Sequence, residues 1–359
     1  MSNFPIKTHS WLTGPTQDVI LCEVGARTAI GFNALASAAA VRCGISGVGV
    51  HPAFIDKADE PMAFAADAAL DAGLVVTKRM EQMLMSAISE ALEAVVASED
   101  RARIVCWVGL PEPRPGLPTD TALSISAAVS NAFGFSAVHT LQNGHAAGLM
   151  ALQVAAQKIS SGEADICIAA GVDSYLVPDT LDWLDSNGWL MSSTNRNGFP
   201  PGEAAGACLL ASRSTAQHLN LPMAATLLAA STTVEPHTIR STEICIGEGL
   251  SAGLRAIASS LKFPHEKITA IYCDLNGQRY RNEEFVYTLL REQVAYVDAH
   301  DYLCPADCWG DVGAASGPLF AALAVVAMRR GYSKGPRPVL WASSGSGYRT
   351  AVLLNLAQH

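Results

Sequence analysis

The sequence predicts an α/β protein with buried strands, and three observations predict it. Short β-branched, apolar runs alternate with longer Ala- and Leu-rich amphipathic runs along the 359 residues, the rhythm of strands joined by helices. Half of the chain (50%) is hydrophobic, enough to bury one large core or two fused ones. Charged residues make up only 16% while Gly and Ala are abundant, which suits closely packed helices and sheets and excludes a disordered chain.

Taken in order, residues 19–24 read as a strand and 29–43 as a helix stopped by Gly44, with 44–60 a loop punctuated by Pro52 and Pro61. Residues 80–97 form the clearest amphipathic helix: Met83, Leu84, Ala87, Ile88, Ala91, Leu92 and Val95 recur at helical spacing, and its methionines read as core filler. A strand over 103–108, a Pro/Gly-rich loop over 111–118 and a helix capped by Thr119 or Asp120 and reaching Phe133 follow. Next come a strand over 137–141, a helix over 146–160, a strand over 165–170, a polar Gly-rich loop over 187–202 and a strand over 205–211. The remainder repeats the rhythm: strand 224–230, helix 250–261, strand 270–274, helix 282–291, a short strand near 300–304, helix 312–329, and strands 339–343 and 351–356. Two halves of similar order, 1–211 and 212–359, suggest an internal duplication, although they share little visible identity.

Composition narrows the function classes. No apolar run approaches the ~20 residues a membrane-spanning helix needs, and residues 1–16 lack the basic and apolar regions of a signal peptide. The nine cysteines are scattered and mostly lie in strand-like apolar runs (Cys106, Cys167, Cys208, Cys273), which suggests buried thiols in a cytoplasmic protein rather than a disulfide framework. Cys304 and Cys308 have no second Cys/His pair beside them, so no zinc site is expected there, and no metal or cofactor is expected elsewhere. A net charge of −9 without a basic stripe excludes nucleic acid as the main partner and gives no general basic surface for an acidic carrier protein.

Six segments, in order, carry a resemblance. They are Val19-Ile-Leu-Cys-Glu-Val-Gly-Ala-Arg-Thr-Ala-Ile-Gly31; Gly162-Glu-Ala-Asp-Ile-Cys-Ile-Ala-Ala-Gly-Val-Asp173; Asn197-Gly-Phe-Pro-Pro-Gly-Glu-Ala-Ala-Gly206; Ile271-Tyr-Cys-Asp-Leu-Asn-Gly277; Gly310-Asp-Val-Gly-Ala-Ala-Ser-Gly317; and Ser343-Ser-Gly-Ser-Gly-Tyr348. Together they resemble the β-ketoacyl-[acyl-carrier-protein] synthases. The resemblance implies the thiolase fold: two βαβαβαββ halves related by a pseudo-twofold, forming a layered αβαβα sandwich with helices between two mixed sheets. It also implies a dimer paired through the strand near 137–142.

The same resemblance implies an altered site. The family condenses acyl groups with a cysteine at a helix start, where the dipole and free N–H groups favour thiolate and oxyanion, and with two histidines. Here those positions fall on His145, within Gln142-Asn-Gly-His-Ala-Ala-Gly148, and on Asn276 and Asp311. An imidazole is a poor acyl carrier, an amide shuttles no proton, and a carboxylate repels a developing enolate. The phenylalanine gating the family's acyl pocket falls on Ser346, and a glycine of that turn becomes Tyr348. Glu203, with Gly202, is expected to shape a turn near the pocket.

Three readings follow from the resemblance. In the first, a catalytically degenerate synthase-like protein acts by binding protein, as a homodimer, as a heterodimer with a synthase-like chain, or as an adaptor or chaperone for an effector. In the second, a remodelled His145–Asn276–Asp311 site processes acyl thioesters of CoA or acyl carrier protein, with His145 as general base, Asp311 orienting it and Asn276 as oxyanion donor. In the third, the chain is an active 3-oxoacyl synthase with a relocated cysteine, Cys308 being nearest in sequence. Arg279, Tyr280 and Arg281 read as a solvated loop or as ligand-phosphate contacts, and the terminal His359 is assigned no role.

Overall fold

The structure is a computed structural model that describes residues 9–12, 19–95 and 98–357. Most of the segment 1–16 read for a signal peptide, the end of the predicted helix 80–97 and His359 lie outside the described residues. The strands are β1 (His9–Leu12), β2 (Val19–Thr28), β3 (Gly49–Ile55), β4 (Pro61–Phe64), β5 (Val105–Gly109), β6 (Ala137–Leu141), β7 (Ile166–Ser174), β8 (Glu203–Ser212), β9 (Ala225–Val234), β10 (Ala270–Cys273), β11 (Tyr302–Leu303), β12 (Pro338–Ser343) and β13 (Tyr348–Leu356). The helices are α1 (Ala34–Arg42), α2 (Val76–Ala91), α3 (Ser98–Arg101), α4 (Thr121–Phe133), α5 (Ala147–Ser160), α6 (Pro178–Ser186), α7 (Arg213–His218), α8 (Glu248–Ala258), α9 (Arg279–Glu292), α10 (Ala306–Trp309) and α11 (Ser316–Arg329).

Strand order repeats between two strand sets. The first set runs β2-β8-β7-β5-β6 and the second β9-β13-β12-β10-β11, so each places its first, fifth, fourth, second and third strands side by side. The directions repeat as well. The fifth strand is antiparallel to both of its neighbours, the first and the fourth, and the fourth, second and third are parallel. Parallel neighbours need crossover helices, which accounts for the alternating sequence rhythm. The two sets are not separate sheets as expected. A short antiparallel seam, Ile20 opposite Thr226 and Leu21 opposite Ala225, joins them into one eleven-stranded sheet that includes β1 on β9.

Five layers follow from where the apolar faces go. Buried Met80, Met83, Leu84, Ala87, Ile88 and Ala91 of α2 pack with Ile125 and Val129 of α4 on the outer face of the first strand set. Leu250, Leu254 and Ile257 of α8 and Phe285 and Leu289 of α9 do the same on the second. Between the sets lie α5 and α11, the latter buried without a break from Ser316 to Ala327. A helix apolar all round has to sit in an interior layer.

Several boundaries moved. The predicted loop 44–60 contains β3, which pairs with β4, and α6 had not been anticipated. Helix α1 starts at Ala34, not 29, because Asn33 caps it by accepting from Ala36 N at 2.7 Å. Asp120 is the cap position of α4 but makes no side-chain cap hydrogen bond.

The central helices cross at glycines. A Cβ on Gly148 would lie 2.5 Å from both Ala314 O and Pro318 Cδ, and one on Gly317 would lie 2.6 Å from Leu149 Cγ. Backbone on one side cannot yield, so Gly148→Ala is expected to lower stability by about 1–3 kcal/mol, read from the denaturant midpoint.

Candidate functional site

The two halves meet at a matched pair of turns. After β6, Gly144 takes a left-handed φ of 66° and opens a 3₁₀ turn, Gly144–Ala146, that runs into α5. In the second half Gly313, at φ 47°, opens the 3₁₀ turn Gly313–Ala315 that runs into α11. Gly144-His-Ala-Ala-Gly148 and Gly313-Ala-Ala-Ser-Gly317 are thus the same device used twice, with a glycine to turn and a glycine to cross. This short internal repeat was legible in the sequence and had been missed. It sets His145 at the first turn and Asp311 just before the second.

The structure brings His145, Asn276 and Asp311 together. His145 Nε2 lies 2.8 and 2.9 Å from the two carboxylate oxygens of Asp311. Asn276 Nδ2 donates to Asp311 Oδ2 at 2.5 Å and Gly313 N donates to Oδ1 at 2.9 Å. The Asp311 side chain is 2% exposed and that of His145 13%. Burial alone would raise the Asp311 pKa. The charge and hydrogen bond of His145, the charge of Arg281 and the Asn276 amide outweigh it and hold the carboxyl well below the usual carboxylate range.

His145 faces a cleft enclosing about 690 Å³, part of it open to solvent. Its outer wall is aromatic: Tyr175 just after β7, Trp183 on α6, and Trp189 and Phe199 in the loop before β8. Its charges are matched. Arg114 Nη2 donates to Asp173 Oδ1 at 2.6 Å, and its guanidinium stacks on Tyr175 at 4.0 Å. Arg281 Nη1 donates to Asp274 Oδ2 at 2.7 Å and to Ser343 O at 2.9 Å. Arg240 approaches Glu112, with 4.0 Å between the nearest charged atoms.

Other sequence expectations land differently. Asn276 and Asp311 do not line this cleft but sit behind His145. The Asn276 amide nitrogen donates to Asp311 Oδ2 and to Gln278 Oε1, the latter at 3.4 Å, so it presents no donor to a bound oxyanion. Ser346 and Tyr348 also stay out of the cleft lining, where Ser344 and Gly345 stand instead. Glu203 is fully buried away from it, clamped by Arg79 at 2.5 and 3.0 Å, Ser174 Oγ at 2.7 Å and Asp67 N at 3.0 Å. The stretch read as a solvated loop is the start of α9. Arg279 pairs with Glu283 on the surface, whereas Tyr280 and Arg281 line the cleft and are held by Arg349 and Asp274.

None of the nine cysteines lines the cleft. Burial, then the nearby Asp307 charge, raises the Cys308 pKa, the opposite of what a nucleophile needs. The sequence reading also missed Arg114, Asp173 and the tryptophans. Arg114, Trp183 and Trp189 belong to no motif, and the Gly162–Asp173 segment gives no sign that Asp173 pairs with Arg114; only the fold assembles them.

Residues 65–216 match the family described as Beta-ketoacyl synthase, N-terminal domain. Solved ketosynthases superpose on nearly the whole chain. One is a type II PKS acyl-carrier protein in complex with its ketosynthase bound to the hexaketide (TM-score 0.78, 14% identity, 95% of this chain and 100% of that one). Another is the ishigamide ketosynthase/chain length factor (0.79, 17%, 95% and 99%). A third is the ketosynthase from module 6 of the bacillaene synthase of Bacillus subtilis 168 (0.80, 13%, 95% and 72%). No curated protein sequence matches. Among the described residues no helix is long and apolar enough to cross a membrane. With its doubled strand order, the match of residues 65–216 to the β-ketoacyl synthase N-terminal domain and these superpositions, the chain has the fold of the ketosynthases and is similar to the β-ketoacyl synthases over that segment.

Proposed function

We propose that this chain is a catalytically degenerate synthase-like protein that acts by binding protein, with a synthase-like chain as its partner. The observation that carries this reading is the state of the helix-start position. An imidazole stands there, its Nε2 is taken by Asp311, and no thiol reaches the cleft. Condensation needs a nucleophile that becomes acylated and neighbours that move protons and steady an enolate. Here Asp311 brings negative charge, and Arg114, Arg281 and His145 each already face a carboxylate.

Two features support a protein partner. One similar structure is a ketosynthase/chain length factor. And β6 ends its strand set with all five residues partly or fully exposed, an open edge suited to pairing with another chain.

The His145–Asp311 pair favours thioester hydrolysis as a second reading, because a carboxylate-oriented imidazole is the arrangement of a general base. One comparison separates them. Acyl-CoA and acyl-carrier thioesters are offered to the wild type and to His145→Ala, and thiol release and condensation are measured. Equal, background-level rates are expected. Faster release by the wild type would establish the hydrolase. Co-expression with a synthase-like chain from the same source is expected to yield a mixed dimer by light scattering. Two separately migrating species would refute the partner assignment.

A further inference from the structure

Behind the cleft wall, three ligand-type side chains from separate parts of the second half converge: Glu235 just after β9, Cys245 in the loop before α8, and Glu284 on α9. One oxygen or sulfur of each lies within 4.8 Å of those of the other two. All are buried, at 2%, 7% and 1% exposure. Glu235 Oε2 accepts from Gly249 N at 2.7 Å, but Oε1 is buried with no hydrogen-bond partner. Glu284 Oε1 accepts from Arg349 Nε at 2.6 Å. Arg349 also donates to Ser344 O, Tyr348 O and the Tyr280 hydroxyl, and no hydrogen bond from it reaches Glu235 Oε1.

A buried carboxylate oxygen without a partner calls for an explanation, because desolvating it costs far more than an ordinary hydrogen bond returns. We propose that Glu235, Cys245 and Glu284 form a zinc site, completed by one water. Two carboxylates against the single Arg349 leave the cluster with an excess negative charge. A divalent cation bound by both carboxylates and a thiolate brings it to neutrality. Sulfur selects the metal, since magnesium and calcium take oxygen ligands whereas zinc accepts mixed sulfur and oxygen sets. The loop before α8 lies at the surface, where Ile244 beside Cys245 is 74% exposed. The loop also carries Ile239 and Arg240, which line the cleft, so the ion would pin one wall of it.

The rival explanation is a proton shared by the two glutamates, which requires no ion. The test uses the full chain, stripped of metal and titrated with zinc or cobalt(II). About one equivalent of zinc is expected to survive desalting and to raise the melting temperature. Cobalt is expected to give a near-ultraviolet thiolate charge-transfer band that Cys245→Ser abolishes. Glu235→Gln is expected to weaken zinc binding at least about tenfold. Absence of retained zinc and of the band, in a chain that melts cooperatively, would overturn the site. So would a band that persists in Cys245→Ser, which would put the metal on other cysteines. Cys245→Ser is nearly isosteric, so its folding is checked by its own melting curve.

Discussion

Asp311→Ala is expected to cost about 3–5 kcal/mol, more than His145→Ala at about 1–3 kcal/mol, by chemical denaturation at pH 7. Removing Asp311 strands three groups at once: His145, the Asn276 amide and the Gly313 N–H. Removing His145 leaves the carboxylate with Asn276, Gly313 N and the charge of Arg281. The acid limb tests the same pair. The folded Asp311 pKa lies below its unfolded value of about 3.9. Its stabilisation is therefore complete above that value and is lost as pH falls from there through the folded pKa. Asp311→Asn cannot lose it, so its stability should fall less steeply in acid than that of the wild type. Parallel acid limbs would show that Asp311 is not the group holding this region together.

Arg79→Ala is expected to be equally costly, about 3–5 kcal/mol, although it lies far from any chemistry. Arg79 and Glu203 form a two-bond pair at 2% and 0% side-chain exposure, and Arg79 Nη1 also donates to Asp71 O at 2.8 Å. The pair ties α2 of the outer layer to the start of β8, and through Asp67 N and Ser174 Oγ to the segment after β4 and the end of β7. Truncating Arg79 leaves a carboxylate in the interior with only neutral donors. The double variant Arg79→Met with Glu203→Gln removes both charges, so its loss should be smaller than the sum of the single losses. Additive losses would mean that each side chain acts through packing alone.

The fold was legible because its signal is distributed. Continuous apolar strands such as β7 and β8 and the amphipathic α2 announce themselves by pattern, and six ordered segments fixed the family resemblance. The seam between the halves was not legible, since Ile20 facing Thr226 depends on how two distant strands twist toward each other. At the site, the positions of His145, Asn276 and Asp311 came from motif spacing, but the direction of their side chains did not. Asn276 resembles a donor in sequence, yet it spends its amide on Asp311. The cleft walls were invisible for the same reason. Arg114 follows a strand end and Trp183 sits on α6, and neither position follows a period. The cluster of Glu235, Cys245 and Glu284 is likewise assembled only when α9 packs beside the end of β9.

His145 and Asn276 both satisfy the single Asp311 carboxylate, so the three positions constrain one another's replacement. Swapping in a sulfur at 145 by itself leaves the Asp311 anion to Asn276, Gly313 N and the charge of Arg281, whereas swapping an imidazole into 311 by itself leaves two such rings and Arg281 without that anion. The first step would draw about 1–3 and the second about 3–5 kcal/mol from a reserve of only about 5–15 kcal/mol. The three positions are therefore coupled: a change at one is cheapest when the others change in concert, which makes the trio a ratchet against single-letter steps.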